Sequence, residues 1–375
     1  MDIRLFLAVA TLVGSIVGVG IFGIPYVISQ VGFLPGIFYL FLLGSVSLLL
    51  HLLFSEIILR TENEYRLPGY ANFYLGNWAK YIVLFSTIVG ISSSLICYII
   101  AGGEFLSTIF KGDFLVFAIL FWFFLSIGII LGLKGISQFE LLMFFLFILT
   151  LGTIFFVSLD YIKVENFSGF HPEKLFLPYG VILFAMSGTT AIPSLRKILR
   201  NRENELKKAI IIGTLIPLIF YIIFTFSVVG VCGCSTSPEA IKGLVEKIGD
   251  DFVLVGAIFG VMTISTSFLV LGIYLRDCLI YDLGIKRFLA NVFVIVVPLL
   301  ALVLGVKAFV PLMAFIGTIF GAFEDVILIL VFKKSKIKGD RNPEYKISLP
   351  NPILYLLCLM FTGALIYEII SFVCS

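Results

Sequence analysis

The stretch GSIVGVGIFGIP, Gly14 to Pro25, lies inside an apolar segment that runs from about Leu5 to Val27. Gly14, Gly18, Gly20, Gly23 and Pro25 fall within one potential membrane span. Each glycine weakens a helix by roughly 1 kcal/mol relative to alanine, and proline removes a backbone donor. Broken backbone at membrane depth is tolerated only where it is buried in protein or lines a watery cavity. Secondary transporters build substrate and ion sites from discontinuous helices of this kind. The competing reading is close helix packing through small residues, because Gly14 and Gly18 form a GxxxG pair. The glycines and the proline together favour an interrupted helix.

Composition sets the solvent. The chain has 375 residues, of which 60% are hydrophobic, 15% aromatic and 13% charged. Soluble domains average about 45–50% apolar and about 25% charged residues. The chain therefore reads as a polytopic, all-α membrane protein with no large soluble domain. A formal charge of +3 gives no reason to expect a nucleic-acid partner. The N-terminal apolar run is long, broken by glycine and followed by many more spans, so it is not a cleaved signal. Cys97, Cys278 and Cys358 lie in or near apolar spans and read as small core residues. Cys232 and Cys234 lack a CxxC or histidine partner for zinc, and their spacing disfavours a mutual disulfide.

With about 20 apolar residues needed per helical span, eleven spans are expected: 5–30, 34–59, 80–110, 114–134, 138–158, 175–199, 206–231, 252–280, 288–306, 308–332 and 351–372. Placing the N-terminus in the cytoplasm leaves Lys111, Lys163, Lys174, Lys242, Lys247 and Lys307 outside and every other Lys and Arg, Lys134 included, inside. The positive-inside rule then fixes N-in and C-out. The loop 61–80, TENEYRLPGYANFYLGNWAK, suggests a short interfacial helix anchored by Tyr70, Phe73, Tyr74 and Trp78, or else a linker. In the external loop 232–251, Ile241, Leu244, Val245 and Ile248 would share one face of a short helix.

The sixth span reads LFLPYGVILFAMSGTTAIPSLRKIL, Leu175 to Leu199. Its centre, Ser187-Gly188-Thr189-Thr190, is small and polar, and Pro193 follows. This second interrupted helix lies five spans after the first, the offset expected of two inverted five-helix halves. Unwinding frees N–H and C=O groups. The N-terminus of the following half-helix suits a carboxylate, and the freed carbonyls suit a cation or an ammonium. An amino acid zwitterion carries both groups, and glycine lets the backbone approach it closely.

The stretches GSIVGVGIFGIP, ILRTENEYRLPGYANFYLG, LPYGVILFAMSGTTAIP and TSFLVLGIYLRD resemble the amino acid/auxin permease family. That family lies within the amino acid–polyamine–organocation superfamily, whose members share the leucine-transporter fold. The resemblance runs from the first span through the tenth and implies a 5+5 inverted repeat plus an eleventh helix. The halves would be residues 1–158 and 159–332, with a basic cytoplasmic loop and the last helix in 333–375. It implies amino acid uptake driven by sodium or protons. Substrate contacts would fall on the backbone of Ser15, Gly18, Val19 and Gly20 and on Phe184, Ala185 and Ser187, with Ser94 and Tyr98 as candidates from the third span. For Tyr98, plain helix packing is the alternative. Where many relatives carry an acidic residue after the AIP motif, this chain has Ser194.

Hard cations prefer oxygen ligands. The resemblance implies a sodium site between Gly14 and Val17 of the first span and Thr263, Thr266 and Ser267 of the eighth. The alternative is that these hydroxyls bond back to their own helix. Some relatives use a lysine on the fifth span instead of the cation; here that span has none, and its Glu140 sits at the cytoplasmic edge. A proton-driven cycle would need another titrating group, and intramembrane acids are the first place to look. Glu104, flanked by Gly102 and Gly103, is a candidate proton or gate residue. Glu56 is another, although Arg60 four residues on suggests an ion pair. Glu324 and Asp325, near Lys333 and Lys334, read as inner-gate partners, so no deep acid awaits a cationic side chain. His51 reads as a hydrogen-bonded structural residue.

No HExxH, GxSxG or P-loop motif is present, which argues against a membrane enzyme. A nutrient sensor on the same fold would be expected to carry a long cytoplasmic tail, whereas this chain has only Asp2, Ile3 and Arg4 after Met1 before the membrane. The expectation is a plasma-membrane symporter without an organic cofactor. Phe184, Met186 and Tyr98 would suit a neutral, hydrophobic or aromatic amino acid.

Overall fold

The computed structural model describes residues 2–132 and 136–374. Lys134 lies outside the described residues, as does the side chain of Glu140. All regular structure among them is helical.

The first span is two helices, α1 (Ile3–Ile16) and α2 (Gly20–Val31), bent by 55° at the break. Asp2 caps α1 by accepting from the Arg4 N–H. At Val17 the backbone turns extended, with ψ of 96°, and the helix stops. A positive-φ glycine, Gly32, then leads into α3 (Phe33–Leu59), and a Cβ there would strike the Gly169 carbonyl. The loop 61–80 does hold a short helix, α4 (Leu67–Leu75), before α5 (Asn77–Phe110). Tyr70 and Tyr74 are buried, whereas Phe73 and Trp78 are exposed. Trp78 belongs to α5, which starts three residues earlier than its apolar run suggests.

Helices α6 (Phe114–Leu131) and α7 (Ile136–Ser158) follow. The sixth span is again split, into α8 (Leu177–Ala185) and α9 (Ile192–Ile198). Beyond it come α10 (Leu206–Cys232), the short α11 (Ile241–Ile248), α12 (Asp250–Tyr281) and α13 (Arg287–Val303). The tenth span is α14 (Phe309–Phe315), a π turn (Ile316–Phe320) and α15 (Gly321–Lys338), and α16 (Asn351–Cys374) ends the chain.

Among the described residues, eight helices are long and apolar enough to cross a membrane, nine with the bent α1–α2 pair. The other two expected spans are shorter: α13 has 17 residues, and the sixth is divided into pieces of nine and seven. Helix α5 runs through the interior, whereas α6 and α16 present Phe124, Leu131, Leu356 and Leu359 outward, each more than half exposed. So wide an apolar surface requires a lipid solvent, and the chain is a multi-pass membrane protein.

The basic residues gather at one end of the bundle. Arg196 donates to the carbonyls of Ile58 and Thr61, and Arg341 donates to that of Leu59. The orphan carbonyls at the end of α3 are thereby satisfied by cations. Arg66 pairs with Asp277 and Asp282, tying α4 to α12. Asp2 pairs with Arg202, fixing α1 to the loop after α9. Lys174 reaches Gln30 at the opposite end, where the His171 N–H donates to the Val31 carbonyl.

The π turn presses against α8 where both backbones are bare. A Cβ on Gly317 would fall on the Gly180 carbonyl and within 2.9 Å of the Phe184 nitrogen. A Cβ on Gly180 would strike the Ala314 carbonyl. Small residues permit such approach in membranes. Gly317→Ala is therefore expected to destabilise by about 1–3 kcal/mol. Gly363→Ala, where a Cβ meets nothing within 4 Å, should be near neutral. Thermal melting of the two purified variants checks the contrast.

Candidate functional site

The two breaks touch each other. A Cβ on Gly20, at the start of α2, would run into Ala185, the last residue of α8. Gly18 is pressed against the Tyr98 hydroxyl, which lies between Gly18, the Val19 backbone and Ser267. Across the gap, the hydroxyls of Ser15 and Thr190 are 3.5 Å apart.

Side chains from α3 and α10 take up backbone groups that the breaks release. Tyr221 is fully buried, and its hydroxyl lies 2.8 Å from the Ile16 carbonyl and 2.9 Å from the Ala185 carbonyl. One phenolic proton thus serves the carbonyl ends of both α1 and α8. Gly188 donates its N–H to His51 Nε2 at 3.1 Å, and His51 Nδ1 is 3.0 Å from the Thr214 hydroxyl. Thr214 and Tyr221 are seven residues apart, so one face of α10 backs both breaks. Sequence reading missed Tyr221, because a lone tyrosine in an apolar helix does not announce which carbonyl it meets.

A cavity of about 140 Å³ opens between the breaks and α3, α5, α12 and α15. Ser15, Gly18, Gly20, Phe184, Ala185, Ser187 and Tyr98 line it, as do Ser94 and Met186. Val19 is fully buried behind the wall. From the breaks the cavity extends toward Leu67 of α4, at the basic end.

Glu324 and Asp325 also line this cavity, contrary to the expectation that they pair with the basic end. Thr87 donates to Glu324 Oε1 at 2.7 Å, and no ion pair holds either acid among the described residues. The π turn explains the misreading. It inserts one residue into the helix and rotates everything after it by about 100° relative to an unbroken α-helix. The statement that no deep acid faces the site is corrected accordingly.

The candidate proton residues lie elsewhere. Glu56 is fully buried, accepts from Arg60 at 2.7–2.8 Å and from the Ile347 N–H at 2.6 Å, and is absent from the cavity wall. Glu104 is half-buried at the end opposite the basic face, and its charge adds to the burial that pushes the Glu239 carboxyl up in the neighbouring loop.

A second, smaller cavity of about 30 Å³ is lined by Val13, Gly14, Val17, Phe144, Phe147, Thr263 and Thr266. It brings together four of the five residues expected to hold a cation. The fifth, Ser267, lies beside Gly18 and donates to the Thr263 carbonyl at 3.4 Å. Thr266 also donates to that carbonyl, at 2.9 Å. A hydroxyl bonded back in this way keeps oxygen lone pairs for a cation. The space exceeds the roughly 10–15 Å³ that one water needs, and the oxygen donors suit a hard monovalent ion. No cluster of three or more His, Cys, Asp or Glu that could hold a metal occurs among the described residues.

The fold is similar to that of MhsT in complex with L-phenylalanine, with a TM-score of 0.75, 14% identity and 98% of each chain covered. The architecture is therefore leucine-transporter-like. In sequence the chain is 24% identical to the tyrosine-specific transport system 1 of Haemophilus influenzae, covering 95% of this chain and 94% of that protein. It is 24% identical to the glutamine transporter 2 of Aliivibrio fischeri, covering 85% and 86%. The low affinity tryptophan permease of Proteus vulgaris is also 24% identical, covering 81% and 80%. These are transporters, not enzymes. The profile that matches residues 1–368 is not that of the amino acid/auxin permeases, which the motifs resemble. The chain belongs to the tryptophan/tyrosine permease family.

Proposed function

We propose that the protein is a symporter for neutral amino acids with aromatic or hydrophobic side chains. The observation that carries this reading is that two broken helices meet on one cavity, with helix ends of opposite polarity exposed to it. The relatives are named for tyrosine, glutamine and tryptophan transport, which supports a neutral substrate.

The N-terminal turn of α2, at Gly20, offers backbone donors and the positive end of a helix dipole to the substrate carboxylate. The carbonyl ends of α1 and α8 offer the opposite polarity to the ammonium. Phe184, Met186 and Tyr98 supply apolar surface for the side chain. Residues 1–158 and 159–332 form inverted halves, eleven spans cross the plasma membrane, and the N-terminus is cytoplasmic. The basic end is then the inner end, and the cavity, reaching Leu67, leads inward. Transport proceeds as one half rocks against the other.

The driving ion in this reading is sodium, held by the backbone of Gly14 and Val17 and by Thr263, Thr266 and Ser267. Its charge would tie α12 to the first break. Protons are the second reading, favoured by Glu324 and Asp325 on the cavity wall.

In proteoliposomes, uptake of tyrosine or tryptophan is expected to fall at least tenfold when choline replaces sodium, and Thr263→Val should raise the sodium needed for half-maximal uptake at least tenfold. Uptake unchanged in choline would reject the sodium site and favour protons. Preference for lysine or glutamate over every neutral amino acid would reject the substrate class. Tyr221→Phe orphans two carbonyls, each at about 1–3 kcal/mol. Its uptake should drop at least tenfold in protein that still purifies as a folded species.

A further inference from the structure

His51 stands outside every role assigned above, yet it touches the second break directly. Gly188 sits in the unwound stretch with φ −138° and ψ 7°, neither helical nor extended. Its N–H has no helical partner and donates instead to His51 Nε2 at 3.1 Å. An amide N–H can only donate, so Nε2 must be the bare nitrogen and the ring proton sits on Nδ1. Nδ1 then donates to Thr214 Oγ1 at 3.0 Å. His51 and Thr214 are each 1% exposed. The imidazole is thus a rigid strut of fixed tautomer from α10 through α3 to one backbone amide.

The position of that amide has consequences on both sides. A Cβ on Gly188 would collide with Ile16 and crowd Leu12, so Gly188 is packed against the end of α1. Its neighbours Ser187 and Thr189 line the cavity, and Thr190 faces Ser15 across the gap. Moving Gly188 would swing these groups together.

We propose that His51 is a positioning residue, which, backed by Thr214, holds the second break in the form that receives substrate. The inference rests on the proposed transport function, but the strut itself can be tested without ligand. His51→Leu fills the space and removes the acceptor. His51→Gln keeps an acceptor for Gly188 and a donor for Thr214. Thr214→Val removes the partner that fixes the tautomer.

The experiment uses the full-length protein in detergent. It measures the Kd for tyrosine and for tryptophan, and amide hydrogen exchange in the peptide spanning 186–191. His51→Leu is expected to weaken binding at least tenfold and to speed exchange in that peptide, with exchange in α5 and α12 unchanged. His51→Gln should recover most of the affinity and the protection. Thr214→Val should weaken binding in the His51 protein and have no further effect in His51→Leu, the non-additivity expected of one unit. Unchanged binding and exchange in His51→Leu would overturn the inference. So would a variant whose exchange rises throughout the chain while His51→Gln does no better, because that outcome describes general core damage. A wild-type protein that binds neither amino acid would overturn the proposed function, and the exchange arm alone would then keep or overturn the strut.

Discussion

Peptide groups in a bilayer have no water to turn to, so a helix that unwinds there needs another partner for each released group. The rest of this structure depends on how that requirement is met. At the first break the Ile16 carbonyl is taken by Tyr221, which also serves Ala185 at the second. At the second break the Gly188 amide is taken by His51. Groups at the breaks that these side chains do not use remain available to a ligand. The arrangement divides labour between polar side chains that stabilise the gap and helix termini that face it.

Close backbone approach is the second constraint. Gly18 against Tyr98, Gly20 against Ala185 and Gly317 against Gly180 are contacts that a methyl group would block. They bring the first, sixth and tenth spans into one small volume, and the cavity exists because three interrupted segments meet there. The third interruption, the π turn at Ile316–Phe320, also decides which side of α15 faces inward.

Much of this was legible in the chain itself. Gly14 to Pro25 and Ser187 to Pro193 break apolar runs with residues that helices avoid, and both runs are broken in the structure. The candidate cation residues Gly14, Val17, Thr263 and Thr266 come together because helical spacing puts the two threonines on one face, and the break puts the glycine opposite. What could not be read were the partners across long sequence separations. His51 and Gly188 are 137 residues apart, and an isolated histidine among leucines gives no sign of the amide it will meet. Glu324 and Asp325 were misplaced for a different reason: counting at 3.6 residues per turn fails across a π turn. The family also needed more than motif likeness, since helix-breaking glycines recur wherever this fold is used.

The central claim is that the backbone at the two breaks grips both charges of an amino acid. Isothermal titration of the purified protein with tryptophan, tryptamine and indole-3-propionate tests it directly, because the three share a side chain and differ in the charges. The account predicts measurable binding of tryptophan and at least a hundredfold weaker binding of each compound that lacks one charge. Equal affinity for all three would contradict it.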